Sequence, residues 1–420
     1  MFPEQMLPSW LAAYPHHVRR RRRQRQTTYK RFLQPAITNL IPLSFKFLSF
    51  FSLLSSSSSS KKSFKMVSHT QILSTLSHLT SSPSKLPRVS LFIGATNGIG
   101  KTTLKALITA SAPSQSPIRI YLTCRSSSLQ TTQTFISSEL KPLNPKAEII
   151  ILQGEISLLS EVRRISASIS SKETGIDLLF LTAGYAPFGG GKTRKETGEG
   201  LEVAQSLEYY SRILFIRELL PLLKQYKGRV ISVLGGGLEK PFSISDVNDL
   251  ELREKGSGFL GYKAQTQYVA MNTLGMEVLA RENRDITFLH SWPGIVSTGN
   301  VWRGLDDRRS WLGWFIWLVV EPLIKFFGTS EEDCGQRFLF QCCSGLYGGE
   351  EERVVEWEGE KGKSTEGGGL FLVNYKCQCT PNENNLKVLR EKAQEKVWEH
   401  TLEVFQRTEE VQATGDGTPS

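Results

Sequence analysis

The sequence predicts a doubly wound α/β fold, in which one parallel β-sheet carries helices on both faces. Between residues 88 and 298, short apolar runs alternate with longer segments of helical periodicity. The first of these runs ends in a glycine-rich turn that opens a helix. Parallel strands joined through helices require right-handed crossovers, which cover the sheet on both sides. A chain of 420 residues, 39% of them hydrophobic, is long enough to bury such a core in a single domain.

The strands and helices are predicted in strict alternation. Strands are expected at RVSLFIGA (88–95), IRIYLTCR (118–125), AEIIILQGE (147–155), IDLLFLTAG (176–184), RVISVLGG (229–236) and ITFLHSWPG (286–294). Helices are expected at 103–112, 129–143, 158–171, 201–223 and 263–281. A last strand is predicted at LFLVNY (370–375), followed by an amphipathic helix over 388–405. The domain therefore spans residues 66–405, and residues 406–420 are predicted to form a disordered tail.

The first 65 residues are predicted to lie outside this domain. They contain twelve of the 51 Lys and Arg and one of the 41 Asp and Glu, which leaves 39 basic and 40 acidic residues from Met66 onward. The net charge of +10 thus belongs to the N-terminal segment, and no nucleic-acid partner is expected for the domain. A signal anchor, a transit peptide and a translated leader before a functional start at Met66 all fit the segment, and the start at Met66 is favoured.

Residues 300–347 are predicted to form a lid or extension of the domain. Its apolar part, WLGWFIWLVVEPLIKFF at 311–327, has ten uninterrupted apolar residues, too few to span a bilayer. A helix over the substrate cleft or against the core is favoured, with peripheral membrane contact as the alternative. The six scattered cysteines indicate a reducing compartment and no structural zinc. A cytoplasmic protein is therefore expected, with association to a membrane as the alternative. Cys377 and Cys379 could bind a soft metal, but their spacing is better explained by chance, and no metal site is predicted.

The glycine-rich turn predicts a dinucleotide site. Gly94 permits a tight turn, Gly98 lets the backbone approach a pyrophosphate, and Gly100 allows the helix to pack closely on the strand. Thr96, Asn97 and Ile99 complete the turn. The second strand ends at Arg125, without the carboxylate that would bind a ribose 2′-hydroxyl. A guanidinium suits a 2′-phosphate, so NADP is the predicted cofactor.

The GxxxGxG spacing of this turn resembles the short-chain dehydrogenase/reductase family, and further matches extend over about half of the chain. The stretches YYSRILFIRELLPLL and FLHSWPGIVST resemble a fungal branch of that family. The resemblance implies a Rossmann-type fold and places further cofactor contacts at Glu155, Ala183, Gly184, Pro293, Gly294, Val296 and Thr298. It also implies a lipophilic carbonyl or alcohol as substrate, in secondary metabolism.

The family's catalytic residues are mostly replaced. Its lysine is present as Lys263, which would also bind the nicotinamide ribose, whereas its tyrosine position is Phe259, which cannot donate a proton. Gly235 stands in place of the serine, and Glu208 in place of the asparagine. Tyr262 is the nearest phenol.

Substitute proton donors are therefore considered. Lys263, Tyr262 and Glu208 are the predicted catalytic set, because a buried Glu208 with a raised pKa could act as acid or base. Tyr268 is a further candidate. His290 is interpreted as a core histidine, and Arg212 as a packing or surface residue of the long helix.

Two functions follow from this pattern. The favoured one is an NADP(H)-dependent oxidoreductase with an atypical proton donor. The alternative is a protein of the same fold that does no redox chemistry, such as an isomerase, a cyclase or a cofactor-binding regulatory module, because the tyrosine and serine are missing. The protein is expected to act as a monomer or a homodimer.

Overall fold

Seven apolar runs form the strands of one parallel sheet. The computed structural model describes residues 67–113, 117–185, 195–242, 247–253, 261–296, 318, 322, 328–349 and 352–414. The strands are β1 (Val89–Ile93), β2 (Arg119–Cys124), β3 (Glu148–Gln153), β4 (Leu178–Leu181), β5 (Arg229–Val233), β6 (Thr287–Ser291) and β7 (Leu370–Val373). Their order is β3-β2-β1-β4-β5-β6-β7, and every neighbouring pair is parallel. The predicted Rossmann-type α/β fold is confirmed.

Nine helices of seven residues or more are formed by the described residues. They are α1 (His69–Ser81), α2 (Gly98–Ser111), α3 (Leu129–Phe135), α4 (Leu159–Ser170), α5 (Ser211–Gln225), α6 (Gly261–Glu282), α7 (Glu331–Cys343), α8 (Glu383–Leu389) and α9 (Glu395–Thr414). Three π-helical turns adjoin these helices. The first extends α3 (Ile136–Leu140), the second leads into α5 (Ser206–Tyr210), and the third joins α8 to α9 (Arg390–Gln394). A short helix, Val203–Gln205, precedes the second of these turns.

The alternation of side chains along the strands divides the core between the two faces of the sheet. On β1, Leu91 and Ile93 point into one cluster, together with apolar residues of α4, α5 and α6. Phe92 points the other way, into a cluster with residues of α1, α2 and α7. Both faces of the sheet are therefore covered by helices, as a doubly wound fold requires.

The second half of the predicted lid is a core helix. Gly335 of α7 lies so close to α2 that an added Cβ would stand 2.6 Å from the carbonyl oxygen of Thr102. Phe338 packs edge-on against Phe180 of β4 with ring centroids 5.7 Å apart. Residues 331–347 therefore pack on the sheet rather than over a cleft, because their apolar side chains are needed in the core. The apolar segment 311–327 falls outside the described residues except at Leu318 and Pro322.

The C-terminal helix is longer than the sequence indicates. Helix α9 continues to Thr414, so the disordered tail predicted from residue 406 is wrong up to that residue. Its last turns are held by Arg163, whose Nη2 donates to the carbonyl oxygen of Phe405 (2.6 Å) and to the hydroxyl of Thr408 (3.1 Å). Thr408 is buried, which its polar neighbours in the sequence do not suggest.

The N-terminal segment 1–66 lies outside the described residues. Among the helices that are described, none has the length and apolar character needed to cross a membrane. The six cysteines are buried as free thiols.

Candidate functional site

In the turn between β1 and α2, the backbone at Gly94 packs against the backbone at Ala183, after β4. Gly94 has φ 93°, and a Cβ there would stand 2.4 Å from the amide nitrogen of Ala183. Gly98 also has a positive φ, 60°, and Asn97 caps α2 by accepting the Gly98 amide at 2.7 Å. Gly94 and Gly98 thus present backbone without a side chain at these two positions, and helix α2 begins there with its positive dipole end.

A cleft of about 700 Å³ opens beside this turn at the carboxyl ends of the strands. Its walls come from the turn, from the end of β2 and from the loops after β3 and β4, and they include Gly94, Thr96, Thr123, Cys124, Arg125, Gly154, Glu155, Ser157, Ala183 and Gly184. Arg125 is exposed, whereas the Glu155 carboxylate accepts the Ser157 hydroxyl at 3.0 Å. The bare glycine turn and the arginine fit the pyrophosphate and the adenosine end of a dinucleotide.

A smaller pocket of about 170 Å³ adjoins the cleft and shares Gly94, Thr182, Gly184 and Tyr185 with it. Its other walls are Asn97, Gly98, Ile99, Glu208, Arg212, Val233, Leu234, Gln265 and Pro293. A carboxyl, a guanidinium and an amide therefore meet beside apolar side chains. Such a mixture is typical of a site that orients a mostly apolar molecule through a few polar contacts.

Glu208 is the buried acid of this pocket. Its side chain accepts the amide of Tyr185 at 3.0 Å through Oε1 and the Gln265 amide at 2.5 Å through Oε2. It is 2% exposed, and burial raises the pKa of Glu208 to about 7, against the lowering effect of the Arg212 charge. A carboxyl with this pKa can hold and release a proton at neutral pH.

The π-helical turn Ser206–Tyr210 positions Glu208. The turn interrupts the regular helical hydrogen bonds, and the carbonyl oxygen of Glu208 accepts a hydrogen bond from the side chain of Asn272 on α6. Asn272 in turn accepts the hydroxyl of Ser232 on β5 at 3.0 Å. The acid is thus fixed to both the neighbouring helix and the sheet.

Arg212, which the sequence indicates as a packing or surface residue, is buried and also lines the smaller pocket. It is 1% exposed. It follows Glu208 by four residues, a spacing that puts two helical side chains on one face, and this was the available signal. Gln265 was also missed, and nothing in the sequence distinguishes it from other polar helix residues.

The place of the family's serine has no room for a side chain. A Cβ on Gly235 would stand 2.5 Å from Cγ2 of Val269, so a serine would require Val269 to move. The Gly235 amide instead donates to Nε2 of His290 at 3.2 Å, and Thr273 lies 2.8 Å from Nδ1 of that ring. Burial lowers the pKa of His290 to about 3, so the ring is neutral and fixes the loop that follows β5.

Several predicted site residues lie near or beyond the ends of the described segments. Lys263 lies half-buried in the first turn of α6, two residues before Gln265. The Tyr262 side chain, Phe259 and Thr298 lie outside the described residues. Tyr268 donates its hydroxyl to Glu202 at 3.1 Å and does not line either pocket.

The turn after β6 closes the site on its far side. Pro293 lines the smaller pocket, and Gly294 has φ 71° and packs against Tyr375. Val296 forms a β-bridge with Thr329.

Gly100 packs α2 on the sheet, since a Cβ there would stand 2.7 Å from the Thr182 hydroxyl.

Similar proteins are fungal oxidoreductases. An NmrA-like family domain-containing oxidoreductase of an Aspergillus species is 34% identical over 320 residues, which cover 76% of this chain and 89% of that protein. An oxidoreductase of Emericella nidulans is 35% identical over 327 residues, covering 75% and 92%. A short-chain dehydrogenase/reductase of Stachybotrys chartarum is 28% identical over 339 residues, covering 75% and 90%. No protein-family profile matches. The chain belongs to the fungal oxidoreductases of the short-chain dehydrogenase/reductase family.

Proposed function

We propose that this oxidoreductase uses NADP(H) to interconvert a lipophilic carbonyl compound and its alcohol. The observation that carries the proposal is that the two cavities are neighbours. The cleft with the glycine turn and Arg125 shares four lining residues with the pocket of Glu208. A dinucleotide lying along the cleft would supply a hydride at the smaller pocket.

The preference for NADP over NAD rests on Arg125. This residue follows β2 and forms the wall of the cleft together with Thr96. Its guanidinium can make paired hydrogen bonds to a 2′-phosphate, and no carboxylate follows β2 to bind a free 2′-hydroxyl.

The lipophilic substrate class is supported by the apolar wall of the pocket. Leu234 and Tyr185 pack against a small separate cluster that contains Ala204, Leu252 and Ala264. The pocket is therefore lined by apolar side chains as well as by the polar Glu208 and Gln265. Such a substrate fits a place in secondary metabolism.

Glu208 is the proposed proton donor to the carbonyl oxygen, and donor becomes acceptor in the reverse direction. Lys263 lies two residues before the pocket residue Gln265 on α6. Its proposed role is to bind the ribose of the cofactor. Tyr262 is the alternative proton donor.

The cofactor is tested by energy transfer from tryptophan to bound NADPH in the full-length protein. Replacing Arg125 by Glu is expected to weaken NADPH binding about tenfold or more, because only NADPH carries the 2′-phosphate. NADH binding is expected to stay the same or to tighten, because the new carboxylate suits a free 2′-hydroxyl. The control is Arg284→Glu, which makes the same charge change at an exposed residue between α6 and β6. Equal NADPH affinity in wild type and Arg125→Glu would show that the arginine does not read the phosphate.

The alternative function, without redox chemistry, is favoured by Phe259, which cannot donate a proton. Measurement of catalytic turnover separates the two functions. The decisive measurement is loss of reduced-nicotinamide absorbance with aryl ketones. Turnover in the wild type supports the proposal. Turnover that appears only after Phe259→Tyr would show that the natural protein binds the cofactor without reducing a substrate.

A further inference from the structure

Arg212 brings a positive charge to the smaller pocket. It is buried in the wall of the pocket that contains Glu208 and Gln265. Burial lowers the pKa of Arg212 to about 10, so the group keeps its positive charge at neutral pH. A permanent charge therefore stands beside the proposed proton donor.

Arg212 joins the ends of two strands to the π-helical turn before α5. Its Nη1 donates to the carbonyl oxygen of Val233 (2.9 Å) and to the hydroxyl of Ser232 (2.9 Å) at the end of β5. Its Nη2 donates to the carbonyl oxygen of Ala183 after β4 (2.6 Å), and Nε donates to that of Leu207 (3.2 Å). The guanidinium plane is thus fixed from three sides.

These contacts use four of the five N–H groups of a guanidinium. The second hydrogen of Nη2 finds no acceptor among the described residues. The carboxylate of Glu208 interacts with Arg212 through its charge, without a hydrogen bond between the two side chains in this part of the chain. One charged donor is therefore left in the wall of the pocket.

The buried Arg229 makes comparable hydrogen bonds to carbonyl oxygens, and Arg212 differs from it by lining the pocket beside Glu208. The hydrogen-bond partners of Arg212 are carbonyl oxygens and a hydroxyl, and burial of a charge without a hydrogen-bonded counter-ion is unfavourable. An apolar side chain could fill the same space, and Ser232 would still be bonded to Asn272. A ligand that develops negative charge would use both the charge and the remaining N–H.

We propose that Arg212 is a catalytic residue that binds the carbonyl oxygen of the substrate through its free Nη2 hydrogen. In this role it replaces the donors that are missing at Gly235 and Phe259. The inference rests on the proposed function. It adds a group that stabilises negative charge on oxygen, as the donors of an oxyanion hole do.

The reaction step balances with the residues of the pocket. A reduced nicotinamide bound in the cleft would supply the hydride, losing one C–H bond and becoming oxidised. The hydride would form the new C–H bond of the product while the π electrons of the carbonyl move onto its oxygen. Arg212 hydrogen-bonds that oxygen as its charge grows, and the proton of Glu208 is transferred to it to give the alcohol. The Glu208 carboxylate that remains is stabilised by the Tyr185 amide, the Gln265 amide and the charge of Arg212.

The test uses an oxyanion and a ketone of similar shape, benzoate and acetophenone, on the full-length protein. Arg212→Lys keeps the positive charge but loses the planar fork of donors. Its matched control is Arg229→Lys at the other end of β5. Arg229 is 4% exposed and donates to the carbonyl oxygens of Gln341, Ser344 and Gly348, far along the strand from the pocket.

Benzoate binding to the NADP⁺ complex is measured by calorimetry, NADPH binding by energy transfer, and folding by thermal unfolding. Arg212→Lys is expected to weaken benzoate binding and to lower kcat/KM for acetophenone about ten- to hundredfold, as expected for loss of one charged hydrogen bond. NADPH affinity is expected to stay within about twofold, and Arg229→Lys to change neither benzoate binding nor kcat/KM.

The outcomes distinguish the two proposals. Equal benzoate affinity in Arg212→Lys and Arg229→Lys, or no benzoate binding in a wild type that binds NADPH, overturns the role of Arg212. No binding of NADPH by the wild type overturns the proposed function instead. If Arg212→Lys does not fold, Arg212→Gln with added guanidinium ion serves, and recovery of benzoate binding by that ion is expected.

Discussion

At the scale of single residues, the site depends on how one carboxyl is buried. Glu208 keeps a pKa near neutrality because burial opposes its ionisation while Tyr185, Gln265 and Arg212 favour it. An exposed glutamate at the same position would be ionised at neutral pH and could not donate a proton. The π-helical turn that buries Glu208 therefore determines its chemistry.

Substitution of Glu208 by Gln should separate proton transfer from cofactor binding. The amide still accepts the Tyr185 amide but carries no acidic proton, so kcat is expected to fall about 10²- to 10⁴-fold. NADPH affinity should change little, because the contacts to the glycine turn are unaffected. Steady-state kinetics and energy transfer on the same preparation provide the measurement. A Glu208→Gln protein with wild-type kcat would assign the proton to another group, with Tyr262 as the next to mutate.

The sequence could identify some of these residues and not others. The glycines of the turn are recognisable because their spacing directly reflects close contact between backbones, as at Gly94 and Ala183. Glu208 was recognisable by its position. The packing of Val269 against Gly235 and the hydrogen bond from Gln265 to Glu208 join segments that are distant in the sequence. Local sequence patterns do not encode such contacts.

At the scale of elements, the clearest difference between sequence and structure is helix α7. Its sequence EEDCGQRFLFQCC mixes acidic and apolar residues and follows an apolar segment, which favoured a lid. In the structure its apolar residues complete the core cluster that contains α1 and α2. Helices that pack on other helices are hard to place from sequence, because periodicity shows that a face is buried but not which element buries it.

The closeness of α7 and α2 gives a prediction at this scale. Gly335→Ala should destabilise the protein by about 1 to 3 kcal/mol, since the new Cβ would force the two helices apart at the Thr102 carbonyl. This loss should exceed the gain of about 1 kcal/mol in helix propensity. The measurement is chemical unfolding, with Gly198→Ala as the control, because no atom lies within 4 Å of a Cβ at Gly198. Equal stability of the two variants would contradict the tight contact.

At the scale of the whole molecule, the location of the site follows from the order of the strands. The sheet grows from β1 toward β3 on one side and from β4 toward β7 on the other. The carboxyl ends of β1 and β4 therefore border a crevice, and the glycine turn and the Ala183–Gly184 stretch meet there. This arrangement was predictable, because the motifs occur in the right order along the alternating strands and helices. The continuation of the C-terminal helix beyond residue 405 was not, because its buried contacts with Arg163 come from a segment far away in the sequence.

Buried titratable groups also make the stability of the whole molecule depend on pH. Burial raises the pKa of Glu208 and of Glu239 to about 7, and it lowers the pKa of His290 to about 3. As pH rises from about 4.5 toward 7, the unfolded chain releases the protons of the two glutamates while the folded protein retains them. Each glutamate therefore contributes stability that is full below pH 4.5 and is lost as pH rises through about 7. His290 acts in the opposite direction, because its folded pKa is depressed: stability is gained as pH rises from about 3 to 6.5.

Glu239 provides the cleanest test of this balance, because it lies outside both pockets of the site. Its Oε1 accepts the Thr273 hydroxyl (2.7 Å) and the Gly237 amide (2.9 Å), while its buried Oε2 has no partner among the described residues. Glu239→Gln removes the ionisable group and keeps the accepting oxygen. Relative to wild type, the variant should gain about 3 kcal/mol of unfolding free energy between pH 5 and pH 8, from 1.36 kcal/mol per unit of pKa shift. Urea unfolding at several pH values measures the difference, with the exposed Glu403→Gln as the control. A Glu239→Gln difference that stays constant over this range would mean that Glu239 ionises in the folded protein as easily as in the unfolded chain.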